Sequence, residues 1–489
     1  MSKYLGIDIG TSKIAFVLYQ SDENKILKSI SIPHKAVYKK NEISEIDIHK
    51  IKNISFEFLK NLKEKKEIKG IGISTQMHGC LVVDKNLNPI TPLITWEDKR
   101  TLLPYKNGKN YIEYIKEISG EKLKNTGTII SPGFMGPTIF YLKETLPSFF
   151  KSGYKMCFIG DYLSSLLTGE EIKTDITNAG SSGFFDILHK NWLWDVIEKL
   201  HIPEYIFPQI VETGEISGKI NKKILKNTGI NRNCNVGVSI GDNQASIIGC
   251  SGYLKNKIVI NIGTGSQISK RIETYKKFPF TDTRYFIKDK YISVGAGLSG
   301  GKTLKILEHF LKDTGKKIFE IKNIKNIFEK IHKYSEKALS DNQIIAGTFF
   351  SGSRQIPDLK GFLLNLTEDN FNIENLLFSF YAGIIFELYF YYGLMEKTEI
   401  NEIIGSGNGF RKNPLLGKIS ASLFNIPVSI SKTKEEAATG ACLVIAEKME
   451  HIDIEKFIEK NIERNIFLPN KNLEYLKELY EIYNNLLTS

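Results

Sequence analysis

Two short turns concentrate the groups best suited to hold a phosphate. Asp8-Ile9-Gly10-Thr11-Ser12 puts a carboxylate at the end of a β-branched run, followed by a glycine and two hydroxyls. Glycine permits a tight turn with exposed backbone N–H groups, and the hydroxyls add donors. Asp8 at the strand end could hold a divalent metal that bridges phosphate oxygens. A second turn, Asn261-Ile262-Gly263-Thr264-Gly265, repeats the pattern 253 residues later without the acid. Two such turns suit a triphosphate gripped between domains. Each alone reads equally well as an ordinary tight turn.

Asp242 lies in Gly241-Asp242-Asn243-Gln244-Ala245, directly after the apolar run 236–240. Two readings compete. Aspartate before a helix is a common N-cap. A carboxylate at a strand-to-helix switch also lies where α/β sheets place their sites, and could accept the proton of an attacking hydroxyl. Gln76-Met77-His78-Gly79 offers amide and imidazole groups around an apolar Met, a set suited to reading sugar hydroxyls. Trp96-Glu97-Asp98-Lys99-Arg100 places a flat apolar face beside an acid and a base, as sugars often require. A core Trp next to a solvated charge run is the plainer alternative.

Gly301-Lys302-Thr303 matches the end of the GxxxxGK[ST] phosphate loop. The first glycine of that motif would fall at Ala296, and Gly295 is one residue off, so the match is a near miss. Gly405-Ser406-Gly407-Asn408-Gly409 follows a predicted strand and precedes a helix starting at Asn413. Such a turn could admit an adenine or ribose, or be a plain loop.

The elements that must position these residues alternate in type. A hairpin is predicted from 4–9 and 13–19, and its echo from 258–262 and 267–271. Helices are predicted over 48–67, 137–150, 160–168, 242–250, 302–312, 372–397, 413–424 and 434–449. Strands are predicted over 68–74, 80–84, 236–240, 291–295, 344–350, 401–405 and 426–430. Strands alternating with helices predict an α/β chain with a mixed sheet. Two hairpins half a chain apart suggest two similar halves, dividing near 243–256.

At 489 residues the chain exceeds one ordinary domain. A hydrophobic fraction of 42% excludes a largely disordered chain. Lys+Arg 66 against Asp+Glu 55 gives a net charge of +11, but the lysines are scattered, so no nucleic-acid stripe is predicted. Cys80, Cys157, Cys234, Cys250 and Cys442 form no CxxC pair, which argues against a zinc site or disulfide framework and fits a reducing compartment. The N-terminus lacks a signal-peptide pattern. Residues 376–395 have membrane length with one charge, Glu387. Glycines, polar residues and tyrosines point instead to a buried helix, so no membrane span is expected.

Taken together, these segments resemble the FGGY family of carbohydrate kinases, within the actin-like ATPase fold, over roughly residues 3–450. The resemblance rests on GIDIGTS at 6–12, STQMHG at 74–79, TWEDKR at 95–100 and SPGFMGPTIFYL at 131–142. It continues through GDYLSSLLTGE at 160–170, DITNAGSSGFFD at 175–186, GDNQASIIG at 241–249, NIGTGS at 261–266, SGGKTL at 299–304 and GSGNGFRKNP at 405–414. It implies an α/β protein of two actin-like (ribonuclease H-like) ATPase domains with an interdomain active-site cleft. The first domain would be 1–245, with the sugar site and first phosphate hairpin, and the second 246–489, with the nucleotide site. Asp242 matches the family's catalytic base, and Asp8 the acid near magnesium and the γ-phosphate. Thr11, Ser12, Gly263, Thr264 and Gly265 match the two phosphate loops. Gln76, Met77, His78, Trp96, Asp98 and Asn243 match the sugar pocket. Gly301, Gly405, Gly407 and Asn413 approximate the nucleotide side.

The resemblance implies an ATP- and Mg2+-dependent, cytoplasmic kinase of a ketose, with no nucleic-acid or membrane partner and a homodimer left open. Phe350–Gly361 is similar to the short G-x-R-x-x-P-x-x-R/K-G stretch of sedoheptulokinase-like members, with Ser353 and Lys360 departing from the commoner residues. Sedoheptulose is therefore the expected substrate, with xylulose as the alternative. A non-catalytic, nucleotide-binding actin-like protein is the rival from another class; it would have lost the acid at 8 or 242, and both are present.

Overall fold

The computed structural model describes residues 2–151, 153–338, 343–350, 352 and 358–488. They form two compact units. The first takes the chain up to Tyr253 together with Arg284–Tyr291 and Thr433–Lys460; the second takes Leu254–Thr283, Ile292–Lys432 and the chain from Asn461 onward. Where the sequence suggests one division at 245/246, two later segments return to the first unit.

In the first unit, Lys3–Ile9, Lys13–Gln20 and Lys25–Pro33 form an antiparallel meander. Ile68–Thr75 pairs in parallel with Lys3–Ile9 on its other side, and Asn235–Gly237 in parallel with Ile68–Thr75. Ile216–Lys219 closes that edge antiparallel to Asn235–Gly237. Central strands here read as near-continuous apolar runs because helices cover both faces of a mixed sheet. Lys13–Gln20, for example, is buried at every position after its first.

The second unit repeats this order. Tyr291–Ser299, Gly265–Ile272, Lys257–Ile262, Glu402–Ser406, Val428–Ser431 and Ile462–Phe467 lie side by side in that sequence. Lys257–Ile262 pairs antiparallel with Gly265–Ile272 and parallel with Glu402–Ser406, as Lys3–Ile9 does with its two neighbours. The correspondence reaches individual residues. Asp8 lies opposite Ser74 and accepts its hydroxyl at 2.9 Å, while Asn261 lies opposite Ser406 and donates to its hydroxyl at 2.8 Å. The echo in sequence is one supersecondary unit used twice.

Helix Ile373–Leu394 runs through the second unit's core, with Phe378, Ile384, Ile385 and Leu388 fully buried. It alone among the described residues is long and apolar enough to cross a membrane, and most of it is buried against the protein. Two predicted helices end early. The helix starting at Ile48 stops at Asn61, because Leu62 turns extended and is buried, leaving a 3-10 turn at Lys63–Lys66. Met135–Thr145 stops before Pro147, whose ring disfavours helical geometry at Leu146. All five cysteines are buried and none is joined in a disulfide.

Candidate active site

In the first unit, adjacent parallel strands end at one place. Ile240–Gly241 pairs with Ser74–Thr75, and Asp8 lies opposite Ser74, so Asp8, Gln76 and Asp242 emerge from neighbouring strand ends. Such ends are where open α/β sheets bind ligands. Asp242 is the first residue of helix Asp242–Ser251, and Gly241 holds the N-cap position. The capping alternative therefore does not describe it. Burial pushes the Asp242 carboxyl up to about 7, the Asp8 charge adds to this, and the N–H of Asn243 and the Arg284 guanidinium oppose it. Burial also raises Asp8, to about 6, against the Ser74 hydrogen bond.

A buried polar network holds the strand end that presents Asp242. The Gly241 N–H donates to Thr177 Oγ1 at 2.8 Å, and the Thr177 hydroxyl donates to Asp175. Asn178 Nδ2 donates to both the carbonyl and the hydroxyl of Ser239, whose hydroxyl donates to Asp161 at 2.6 Å. The DITN and GDYL motifs thus position Asp242.

The residues expected on the sugar side gather on the same unit. Met77 packs against Gly241, where an added Cβ would lie 2.9 Å from the Met77 sulfur. His78 adopts φ 75°, uncommon for a residue with a side chain. Its N–H donates to Ser181 Oγ at 3.0 Å, its Nδ1 donates to the Ser181 carbonyl at 2.8 Å, and its ring stacks on Phe134. Met77, His78, Thr177, Ser181, Arg284 and Tyr285 contribute to the walls of a small cavity. Arg284, itself buried, donates to Asn243 Oδ1 at 3.1 Å. Among the described residues, Asn243 Nδ2 and Gln76 Nε2 are buried side-chain donors with no protein partner, which leaves both able to donate to a ligand.

Trp96 is 44% exposed and donates from Nε1 to Thr11 Oγ1 at 3.1 Å, while Thr11 donates to Gln76 Oε1 at 3.2 Å. Thr11, expected on the phosphate side, thereby links the first phosphate turn to Gln76 and Trp96. Ser12 is exposed at the tip of that turn. Asp98 lies elsewhere: it is 2% exposed and takes the Ser44 N–H at 2.9 Å and Arg100 Nε at 3.1 Å. It anchors the loop carrying Trp96 and does not line the cavity.

In the second unit, the Gly263 N–H bonds the Gly265 carbonyl at 2.9 Å, closing the turn. The first amides of helix Gly301–Lys317 are spent on it: Gly301 N–H donates to the Gly263 carbonyl and Lys302 N–H to the Thr264 carbonyl. This is why the SGGKT segment is only a near miss to a phosphate loop. Its amides brace the Gly263-Thr264-Gly265 turn. Gly407 starts helix Gly407–Lys412 at φ 80°, and an added Cβ would lie 2.6 Å from the Ile262 carbonyl oxygen. Gly405 packs against Ile430 and Phe410, and Asn413 Nδ2 donates to the Gly409 carbonyl at 2.6 Å.

Two contributors carry no motif signal. Arg284 follows the second hairpin in sequence yet belongs to the first unit. His34 bridges the first phosphate turn: Nε2 donates to the Gly10 carbonyl at 3.3 Å, and Nδ1 accepts the Ala36 N–H at 3.1 Å. Among the described residues no cluster of three or more His, Cys, Asp or Glu could cage a metal. Magnesium does not need one, because it keeps waters and binds through one or two carboxylates plus substrate phosphates. Asp8, with a like charge at Asp242 nearby, fits that use.

The repeated sheet, with its paired glycine turns, defines an actin-like ATPase fold. Residues 3–249 match the N-terminal domain of the FGGY family of carbohydrate kinases, and 285–447 its C-terminal domain. The chain belongs to the FGGY family, a family of sugar-directed phosphotransferases. It is 26% identical to the xylulose kinase of Staphylococcus xylosus over 461 residues, covering 91% of each chain. It is 24% identical to human sedoheptulokinase over 484 residues, covering 90% of this chain and 96% of the relative. In fold it is similar to the crystal structure of gluconate kinase from Lactobacillus acidophilus: TM-score 0.85 at 20% identity, over 100% of this chain and 98% of that one.

Proposed function

We propose that the chain transfers the γ-phosphate of ATP to a primary hydroxyl of a ketose, with Asp242 as general base. The carrying observation is the Asp242 carboxyl itself: it lies at a sheet's strand ends beside Asp8, next to the cavity walled by Met77, His78 and Arg284. A base raised to about 7 is well matched to neutral pH. The hydroxyl oxygen forms a bond to the γ-phosphorus as its proton passes to Asp242, and the bond to the β-phosphate oxygen breaks, releasing ADP. Gln76, Met77, His78, Asn243 and Arg284 orient the sugar, with Trp96 as its apolar platform. The Gly263-Thr264-Gly265 turn and the glycines at 301, 405 and 407, with Asn413, serve the nucleotide; Thr11 and Ser12 face the transferred phosphate. Asp8 would hold magnesium, which when bound neutralises phosphate charge.

The substrate rests on two observations. Phe350–Gly361 favours a seven-carbon ketose such as sedoheptulose, although 351 and 353–357 lie outside the described residues. Similarity to both a xylulose kinase and a sedoheptulokinase keeps xylulose as the second reading. Buried cysteines without a disulfide fit a cytoplasmic setting, where we place the enzyme without a nucleic-acid or membrane partner. The test is a coupled ADP-release screen over D-sedoheptulose, D-xylulose, D-ribulose and glycerol. Turnover highest on sedoheptulose supports the first reading, and highest on xylulose the second. Folded protein that binds Mg·ATP but turns over none of them would leave a non-catalytic nucleotide-binding protein.

A further inference from the structure

Glu387, midway along the apolar helix Ile373–Leu394, is buried in the second unit's core, with 1% of it exposed. A carboxyl so placed is costly unless hydrogen-bonded. Its Oε2 accepts the Ser299 N–H at 3.3 Å and the Thr348 hydroxyl at 3.2 Å. Ser299 is held at two further atoms. Its hydroxyl donates to the Thr348 carbonyl at 2.6 Å, and its own carbonyl accepts the Ser266 hydroxyl at 2.6 Å. Ser266 directly follows the phosphate turn. Gly300 directly follows Ser299, and a Cβ there would lie 2.5 Å from the Gly265 carbonyl. The next two residues bond the Gly263 and Thr264 carbonyls. One residue therefore fixes the strand-to-helix corner on which the whole turn rests.

We propose that Glu387 is a positioning residue for the nucleotide: through Ser299 it holds the Gly263-Thr264-Gly265 turn in the shape that receives the phosphates. The proposal rests on the kinase reading above. Burial pushes the Glu387 carboxyl up to about 8, so at neutral pH it is chiefly an uncharged acid. A glutamine, uncharged and of the same shape, should therefore replace it.

The test compares Glu387→Gln, Glu387→Leu and Thr348→Val by calorimetry with Mg·ADP and, separately, with the ketose, alongside melting curves. Leucine leaves the Ser299 N–H and the Thr348 hydroxyl without their acceptor, so nucleotide affinity and KM for ATP should worsen about tenfold or more. Thr348→Val, which removes one of the two contacts, should worsen them roughly threefold. Glutamine should stay within about threefold of wild type, and KM for the sugar should hold throughout. A merely structural role would lower melting temperature without this split between nucleotide and sugar. If the leucine variant does not fold, Thr348→Val and Glu387→Gln decide. Wild-type nucleotide affinity in Thr348→Val, or a glutamine variant as impaired as leucine, overturns the proposal while a turning-over wild type keeps the kinase reading. Wild-type protein that binds no nucleotide overturns both.

Discussion

Arg284→Gln should move the acid limb of the rate profile. The Arg284 guanidinium holds the Asp242 carboxyl down against burial and the Asp8 charge, which together place it at about 7. An opposite charge within a few ångströms shifts a carboxylate by ~1–3 units, so removing Arg284 should raise Asp242 by about one unit. With a base that acts only when ionised, about half of the wild type is competent at pH 7 and about a tenth of the variant. At pH 9 both are about nine tenths ionised or more. The ratio of wild-type to variant kcat/KM should therefore be about fivefold larger at pH 7 than at pH 9. Taking the ratio cancels titration of the nucleotide, which is common to both proteins, and any pH-independent loss of sugar contact. The assay is coupled ADP release at limiting ketose and saturating Mg·ATP from pH 5.5 to 9. A ratio constant across that range would refute the electrostatic account and leave Arg284 as a sugar contact alone.

Thr177→Val removes the hydroxyl that accepts the Gly241 N–H; an unsatisfied buried N–H costs ~1–3 kcal/mol, and kcat should fall more than sugar KM rises. Gly440→Ala should destabilise by about 3 kcal/mol or more, because its Cβ would lie 1.8 Å from the Ala245 carbonyl in the helix that begins with Asp242; a melting curve matching wild type would contradict that close approach. The unliganded protein should melt higher at pH 5.5 than at pH 8. Asp8 and Asp175 (about 6), Asp242 (about 7), and Asp161 and Glu387 (about 8) all keep protons in the folded state that unfolded carboxyls near 4 have lost. The folded chain thus binds more protons over this window, and stability falls as pH rises through it. Burial lowers His34, which opposes the trend only below its unfolded value near 6.5.

Short-range patterns carried much of this architecture. The two hairpins, the strand before Asp242 and the apolar helix around Glu387 are local in sequence, and each hairpin's turn is built from adjacent residues. What local pattern could not convey is which distant segment returns to a site. Arg284 lies beyond the second hairpin and yet walls the cavity with His78. Asp98 has the composition of a sugar ligand, but Arg100, two residues on, and the Ser44 N–H occupy its oxygens. His34 sits in no motif, and only the return of the chain past Gly10 gives it a role. The Gly300-Gly301 pair resembled a phosphate loop because both arrangements need small residues at a helix start. Here the small residues admit a neighbouring backbone turn.

The central claim is that Asp242 takes the proton of the attacking hydroxyl. Asp242→Asn keeps the size and polarity of the side chain while removing the acceptor. The direct measurement is kcat of this variant on the best ketose, with ketose and Mg·ADP affinities measured by calorimetry in parallel. The account predicts kcat lower by ~10²–10⁴, with both affinities within about threefold of wild type. A kcat within about threefold of wild type on that substrate would contradict it.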